Sequence, residues 1–229
     1  MSSAIFVFGA AGAGKTTFCK NFIKHVKATL VNLDPASIDN DHYDITITDY
    51  ISNEEIMEEL DLGPNGGIFE CLSYLEEIFI NEEVFEDRTI LFDCPGQIEI
   101  FLHSDLLVNF IKKFQSTFDA SIAYITDGTT LGNTNKYLFN NLTASIAINR
   151  FSLPVINFIS KMDVKIEREI EFEDDNGYIT IKDMDNKDKF INSVNEFIEL
   201  YGMYRYIPLD WDDDLNVDFI FSNLSAIID

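Results

Sequence analysis

Eight residues near the start of the chain combine glycines, a lysine and a hydroxyl in a spacing suited to binding phosphate. They read GAAGAGKT, from Gly9 to Thr16, and follow an apolar run at Ala4–Phe8. Glycines let successive backbone N–H groups turn inward around a phosphate, and the N-terminus of a following helix adds a favourable dipole. The pattern G-x-x-x-x-G-K-[ST], between a predicted strand and a predicted helix, therefore predicts a nucleoside triphosphate site.

A lysine, a threonine and an aspartate supply the charge and the oxygen atoms that a bound triphosphate needs. Lys15 is expected to contact the β- and γ-phosphates, and the hydroxyl of Thr16 can ligate Mg²⁺. Asp93 ends the apolar run Thr89–Asp93, and an aspartate at the carboxyl end of a buried strand holds the Mg²⁺ shell in P-loop enzymes. Thr16 and Asp93 are therefore the predicted metal residues.

Three further polar residues could position an attacking water. Gln97 and Glu99 are two residues apart in FDCPGQIEIF, so an extended chain would place both side chains on one face. An amide and a carboxylate so placed can orient water for in-line phosphoryl transfer, whereas the alternative is a pair of ordinary solvated residues. Asp34 follows the run Thr29–Leu33 and either supports Mg²⁺ or the nucleophile, or caps a turn.

The segment SKMD, from Ser160 to Asp163, follows the apolar run Val155–Ser160 and predicts recognition of a base. A carboxylate at Asp163 can accept hydrogen bonds from N1–H and N2–H₂ of guanine, and the stem of Lys161 can cover one face of the ring. Adenine has only an acceptor at N1, so the pattern favours GTP. Serine replaces the asparagine of the usual Asn-Lys-x-Asp. Its hydroxyl can still donate one hydrogen bond, but the hydrogen bonds that an amide makes on both sides are lost.

These candidate residues lie at the ends of short apolar runs that alternate with amphipathic segments. Such alternation predicts an α/β fold of the P-loop NTPase type, with a mostly parallel sheet and helices on both faces. Ligands of such folds bind beyond the carboxyl ends of the strands. The predicted strands are 4–8, 29–33, 89–93, 121–126, 155–160 and 204–209, and the predicted helices are 15–26, 54–60, 68–80, 104–114, 133–148, 189–201 and 215–228.

One acidic segment interrupts this alternation, from Lys165 to Asp188. Alternating residues on both sides of Asn176-Gly177 indicate a β-hairpin. We interpret residues 165–188 as a surface insertion in a single domain that spans residues 1–229. A solvated acidic loop is the favoured reading of this insertion, and a lid or a partner-docking element is the alternative.

The composition excludes several classes of protein. The 229 residues include 40 acidic and 16 basic side chains, for a net charge of −24, which argues against binding to nucleic acid or to an anionic membrane surface. Three scattered cysteines without a CxxC pair predict neither a disulfide framework nor a zinc site. Without a signal sequence or an apolar stretch of membrane-spanning length, we expect a soluble, cytoplasmic protein.

The stretch DLGPNGG, residues 61–67, joins two segments with helical patterns. Its Gly-Pro-Asn, together with the stretches GAAGAGKTT, VNLDPA, ILFDCPGQIEIFLH, SKMD and YIPLDW, resembles the GPN-loop GTPases over nearly the whole chain. Within that family, FDCPGQIE and the Tyr-x-Pro-Leu-Asp ending are most similar to the third eukaryotic paralogue. A GPN-loop insertion at about residues 52–80 follows from the resemblance.

The resemblance implies a dimer, formed with itself or with a paralogous GTPase, in which the loop of each subunit reaches the partner's nucleotide. Asn65 would then offer a neutral donor near the γ-phosphate, on a loop that Pro64 keeps stiff. The resemblance further implies GTP or GDP with Mg²⁺ as ligands, and RNA polymerase II subunits or assembly factors as partners in assembly and nuclear import. Shuttling between the cytoplasm and the nucleus is a further expectation from this resemblance. It assigns residues as follows: phosphate contacts to Gly12, Ala13, Gly14, Lys15, Thr16 and Thr17, base contacts to Ser160, Lys161, Met162 and Asp163, and hydrolysis to Asp34, Asp93, Gln97 and Glu99.

Two other functions fit the same motifs. A dimeric P-loop ATPase would keep the phosphate loop and lose the preference for guanine. A scaffold locked in one nucleotide state would keep binding without useful turnover. The residues predicted to position water favour the GTPase over this scaffold.

Overall fold

The structure is a computed structural model that describes residues 3–79, 89–97, 99–100, 104–116, 118–164, 171–175, 178–182, 193, 196 and 205–228. These residues group into two compact units. The first contains the described residues of 1–8 and 15–121, and the second those of 9–14 and 122–227. The prediction of a single domain stays a prediction.

The first unit is built on four parallel strands. Strands β1 (Ser3–Phe8), β2 (Ala28–Asn32), β3 (Ile45–Thr46) and β4 (Thr89–Asp93) lie in the order β3-β2-β4-β1. Its helices are α1 (Lys15–His25), α2 (Asn53–Glu59), α3 (Pro64–Ser73), α4 (Leu75–Phe79) and α5 (Leu106–Phe114), with a 3₁₀ turn at Ile47–Asp49. Strand β1 is buried along its whole length, as expected for a strand that is covered on both faces.

Phenylalanine rings form the centre of this first core. Phe6 on β1 and Phe92 on β4 stack with their ring centroids 4.7 Å apart. Phe110 and Phe114 of α5 meet the Phe92 ring nearly edge-on, at 5.7 and 5.1 Å. Edge-to-face contacts of this kind add to the free energy gained by burying the rings. Helix α5 therefore packs on β1 and β4, and β4 carries Asp93 at its end.

The second unit contains β5 (Asp119–Asp127), β6 (Val155–Ser160), β7 (Glu171–Asp175), β8 (Tyr178–Lys182) and β9 (Arg205–Pro208), with helices α6 (Thr134–Phe151) and α7 (Asp214–Ile228) and a 3₁₀ turn at Gly128–Gly132. Strands β5, β6 and β9 are parallel neighbours. A core cluster of Leu131, Tyr137, Leu138, Ile159 and Tyr206 packs helix α6 against β6 and β9. The mostly parallel α/β class is confirmed.

The acidic segment forms a hairpin where the structure describes it. Strands β7 and β8 are antiparallel, with Asp175 opposite Tyr178, so the hairpin prediction at Asn176-Gly177 is confirmed. Strand β8 also pairs with β9. Residues 171–175 and 178–182 are therefore strands of a sheet and not a loop, and the surface location of the insertion stays a prediction. Residues 165–170, 176–177 and 183–188 lie outside the described residues.

The largest error in the predicted elements is at residues 68–80. Instead of one helix, the structure has α3 and α4, with Tyr74 between them. Helix α3 begins at Pro64, because proline is well suited to the first helical position. The helix predicted at 189–201 lies outside the described residues, except for Ser193 and Glu196, which are helical. None of the described helices has the length and apolar character needed to cross a membrane.

Candidate functional site

The two predicted metal residues are in direct contact. The hydroxyl of Thr16, in the first turn of α1, donates a hydrogen bond of 2.8 Å to Oδ2 of Asp93. Asp93 is the last residue of β4 and is 3% exposed. Lys15 opens helix α1 and is also buried. A buried carboxylate requires partners of this kind, since an isolated buried charge is very unfavourable.

A second hydroxyl, which the sequence analysis missed, reaches the same oxygen atom. Tyr43 Oη donates a hydrogen bond of 2.7 Å to Asp93 Oδ2. Burial, followed by the nearby charge of Asp93, raises the pKa of Tyr43 above its ordinary value, so the phenol keeps its proton at neutral pH. Tyr43 belongs to no motif, and only its place just before β3 gives it this role.

Asp34 lies at the start of the β2–β3 loop, residues 33–44. Its Oδ1 accepts a hydrogen bond of 3.0 Å from Ala36 N–H, so the turn-capping alternative is confirmed. Burial raises the pKa of Asp34 above its ordinary value, while the Ala36 N–H, the charge of Lys15 and the Gly96 N–H act in the opposite direction. The carboxyl group thus also lies close enough to Lys15 and to the Gly96 N–H for both to lower its pKa. Its predicted role at the phosphates stays a prediction.

The expectation that Gln97 and Glu99 share one face of an extended chain is wrong. Ile100 N–H donates to the carbonyl of Gln97, and Glu99 lies in a helical turn with its side chain exposed. Strand β4 ends at Asp93, and the described residues Glu99 and Ile100 are already helical. Gln97 Oε1 is buried and has no hydrogen-bond partner within the described ranges, so this amide is available to a ligand or a water.

Asn65 lies in the first turn of a helix rather than in a stiff loop, which corrects the expected conformation of the Gly-Pro-Asn segment. Gly63 caps α3 without a side-chain hydrogen bond, Pro64 is the first helical residue, and Asn65 is exposed. A Cβ atom at Gly67 would lie 2.4 Å from Asn53 Oδ1 on α2. A glycine at this position therefore allows α2 and α3 to pack closely, which fixes the direction of α3.

In the second unit, the phosphate loop contacts the segment predicted to bind the base. Ser160 Oγ is buried and lies 2.7 Å from the carbonyl oxygen of Ala13 and 3.2 Å from that of Thr126. A hydroxyl has one proton, so it donates to one of these oxygens at a time. Lys161, with φ +56°, donates from Nζ to the Gly12 carbonyl at 2.6 Å.

Asp127 is a second residue that the sequence analysis missed. Its Oδ2 lies 2.7 Å from Lys161 Nζ, and its Oδ1 accepts hydrogen bonds from the backbone N–H and the hydroxyl of Thr129. Burial alone would raise the pKa of Asp127, but the hydrogen bonds from Lys161 and Thr129 outweigh burial and hold the pKa below its ordinary value. The segment DGTT that follows β5 is a turn signal, yet its sequence does not reveal a partner 34 residues away.

The remaining predicted residues differ in exposure. Asp163 is exposed, and no hydrogen bond or ion pair joins its side chain to another described residue. Its carboxylate is therefore available to a ligand. Met162 is partly buried against the core cluster around Tyr206 and Leu131. Thr17 is exposed on α1, one residue beyond Thr16.

Comparison with known proteins identifies relatives over the whole chain. A family model described as "conserved hypothetical ATP binding protein" matches residues 7–229. The chain is 34% identical to GPN-loop GTPase 3 of Yarrowia lipolytica, over 97% of this chain and 90% of the relative. It is 31% identical to GPN-loop GTPase 3 of Candida glabrata, with the same coverage. A crystal structure of a GTPase from Pyrococcus abyssi in its apo form has a TM-score of 0.57 and 27% identity, over 70% of this chain and 68% of that one.

Proposed function

The chain belongs to the GPN-loop GTPase family, and from that premise we propose that it is a Mg²⁺-dependent GTP switch that works as a dimer. GTP binding and GTPase activity follow from the family, and the fold is that of a P-loop NTPase. The resemblance to the third eukaryotic paralogue agrees with the names of the relatives. The metal, the dimer and the client are the finer parts of the proposal.

The contact between Thr16 and Asp93 supports the proposal of a Mg²⁺ site. A hydroxyl and a carboxylate are the oxygen ligands that Mg²⁺ accepts, and such sites take their remaining ligands from phosphates and water. Accordingly, no group of three or more His, Cys, Asp or Glu side chains forms a metal site among the described residues. When bound, Mg²⁺ supplies charge neutralisation at the β- and γ-phosphates. Thr16 and Asp93 would hold it, while Lys15 contacts the same phosphates.

The unpartnered amide oxygen of Gln97 supports a role in positioning water. We place Gln97 and Asp34 beside the nucleophile, because Gln97 follows the strand that ends at Asp93 and Asp34 lies close enough to Lys15 and Asp93 for their charges to shift its pKa. In-line attack on the γ-phosphate depends more on the position of the attacking water than on a strong base. Glu99 remains in the proposed set through the family resemblance alone, from a helical position beyond Gln97.

The free carboxylate of Asp163 supports selection of guanine. It can accept both hydrogen bonds of the guanine N1–H and N2–H₂ edge, whereas adenine would leave it unpaired. Ser160 and Lys161 hold this segment against the carbonyls of Ala13 and Gly12, so the base and phosphate contacts are coupled within the second unit. In this way Ser160 replaces one side of the bracing that an asparagine would give.

The exposed first turn of α3 supports a contribution from a second subunit. The first N–H groups of a helix have no partner within the helix, and Asn65 is an exposed residue of this first turn. A neutral donor can stabilise phosphate charge without the desolvation cost of a buried cation. By family resemblance, we further propose homodimers or heterodimers with a paralogue, and RNA polymerase II subunits or assembly factors as clients in assembly and nuclear import.

Phosphate release by the purified protein tests the enzymatic part. We expect GTP to be hydrolysed faster than ATP, and EDTA to abolish the difference. Faster release from ATP would favour the ATPase alternative, and tight binding without release would favour the scaffold. Native mass spectrometry with GTP tests the dimer, and affinity purification of the tagged full chain tests the polymerase clients.

A further inference from the structure

Two hydroxyl groups from separate segments converge on one oxygen atom of Asp93. Thr16 Oγ1 lies 2.8 Å and Tyr43 Oη 2.7 Å from Oδ2. Among the described residues, none donates a hydrogen bond to the other oxygen, Oδ1. Two donors on the same oxygen fix the rotation of the carboxylate more firmly than one donor can, and they leave Oδ1 free.

The segment that delivers Tyr43 is itself anchored. Leu30 on β2 holds Asp44 from both sides, since its N–H donates to Asp44 Oδ2 at 2.8 Å and its carbonyl accepts from Asp44 N–H at 2.9 Å. The ring of His42 lies against the ring of Tyr43, with centroids 4.0 Å apart. The Tyr43 hydroxyl is thus held in place by its two chain neighbours and not only by Asp93.

A partly buried hydrogen-bond network links the other end of the β2–β3 loop to the same region. Asn32 Nδ2 donates to Asn40 at 2.9 Å and to Thr46 at 3.2 Å, and Asn32 Oδ1 accepts from Asp34 N–H at 2.9 Å. Asn40 in turn donates to Thr48 at 3.0 Å. The β2–β3 loop, residues 33–44, is therefore held by hydrogen bonds near both of its ends.

We propose that Tyr43 is a positioning residue that orients the Asp93 carboxylate toward the metal and so sets the affinity for Mg²⁺. The inference rests on the proposed function, because it takes Asp93 as a residue that holds Mg²⁺. Tyr43 acts through Asp93 and does not contact the metal. Hydrogen-bond partners of metal-binding carboxylates typically contribute 10- to 100-fold to metal affinity.

The test measures how much Mg²⁺ is needed to slow the release of a fluorescent GDP analogue. Tyr43→Phe removes one hydroxyl and keeps the ring that packs on His42. Tyr74→Phe is the matched control, because Tyr74 is partly exposed at the end of α3, outside the site. We expect Tyr43→Phe to need about 10-fold more free Mg²⁺ for half-maximal slowing. The control should match the unmodified protein, and both variants should bind GDP normally in EDTA.

Three results would overturn the proposal. An unchanged Mg²⁺ requirement in Tyr43→Phe would mean that Asp93 needs no second donor. A lower requirement would mean that Tyr43 competes with the metal. If Mg²⁺ does not slow GDP release from the unmodified protein, the metal has no part in the proposed function and the inference fails with it. If Tyr43→Phe does not fold, His42→Ala replaces it. A higher Mg²⁺ requirement in His42→Ala supports the proposal, and an unchanged one contradicts it.

Discussion

Lys161 Nζ and Asp127 Oδ2 lie 2.7 Å apart, and the same ammonium group reaches the carbonyl of Gly12. Lys161 has a positive φ, an uncommon conformation for a lysine that its partners must hold. The ion pair therefore fixes the segment proposed to bind the base against the phosphate loop. This arrangement uses Asp127, a residue outside every motif of the sequence analysis.

Asp127→Asn should weaken nucleotide binding without changing the fold. The substitution replaces a charge-assisted hydrogen bond to Lys161 by a neutral one, and we expect about a 5- to 10-fold loss of GDP affinity. Fluorescence titration with a labelled GDP measures the loss. Asp119→Asn is the control, because Asp119 is exposed at the other end of the same strand. Equal losses in the two variants would show that general surface charge is responsible, not the ion pair.

Asp34→Asn should stabilise the nucleotide-free protein at neutral pH. Because the folded-state pKa of Asp34 is raised, its ionised form is less favourable in the folded than in the unfolded state. The cost appears as the pH rises above the unfolded-state value of about 3.9 and is absent below it. We expect thermal unfolding about 2–4 °C higher at pH 7, and no gain near pH 3. A gain of equal size at both pH values would contradict the role of ionisation.

Gln97→Ala should slow hydrolysis and leave GTP binding nearly intact. If the buried amide orients the attacking water, its loss should reduce turnover about 100-fold, the range seen for single positioned groups. Single-turnover phosphate release measures this rate. Gln115→Ala, an exposed position at the end of α5, is the control. Unchanged turnover in Gln97→Ala would favour the scaffold alternative.

Asp163→Asn should move nucleotide preference from guanosine toward xanthosine triphosphate. An amide can donate to the xanthine 2-oxo group, where the carboxylate would be repelled. Competition of the two nucleotides against labelled GDP measures the preference. If the preference does not move, Asp163 does not read the base and the ATPase alternative gains support.

A mixture of two inactive variants tests the shared site. Subunits with Asn65→Ala and subunits with Lys15→Ala should recover activity on mixing, because each mixed dimer has one site with neither defect. At equal mixing, about half of the dimers are mixed and half their sites are intact, so activity should approach a quarter of normal. Native mass spectrometry verifies that mixed dimers form. Mixed dimers without recovered activity would refute the contribution in trans.

The features predicted from the sequence are those that depend on the spacing of nearby residues. The glycine spacing of residues 9–16 predicted the phosphate loop. Two apolar runs, which form β4 and β6, predicted the positions of Asp93 and the SKMD segment at strand ends. Tyr43 and Asp127 escaped prediction because each acts on a residue more than 30 positions away, through packing that no spacing encodes. The extended backbone expected at Gln97 and Glu99 was wrong, because Glu99 and Ile100 are helical, whereas the role of Gln97 stays a prediction.

The break at Tyr74 makes α3 a separate helix of ten residues with Asn65 in its first turn. Asn65 lies nine residues from this break, about 14 Å along the axis at the usual rise of a helix. A rotation of about 10° around Tyr74 would move the amide by about 2 Å, enough to make or lose a hydrogen bond. In the proposed dimer, a change in the packing of α2 on Gly67 would therefore alter whether Asn65 reaches the partner's nucleotide.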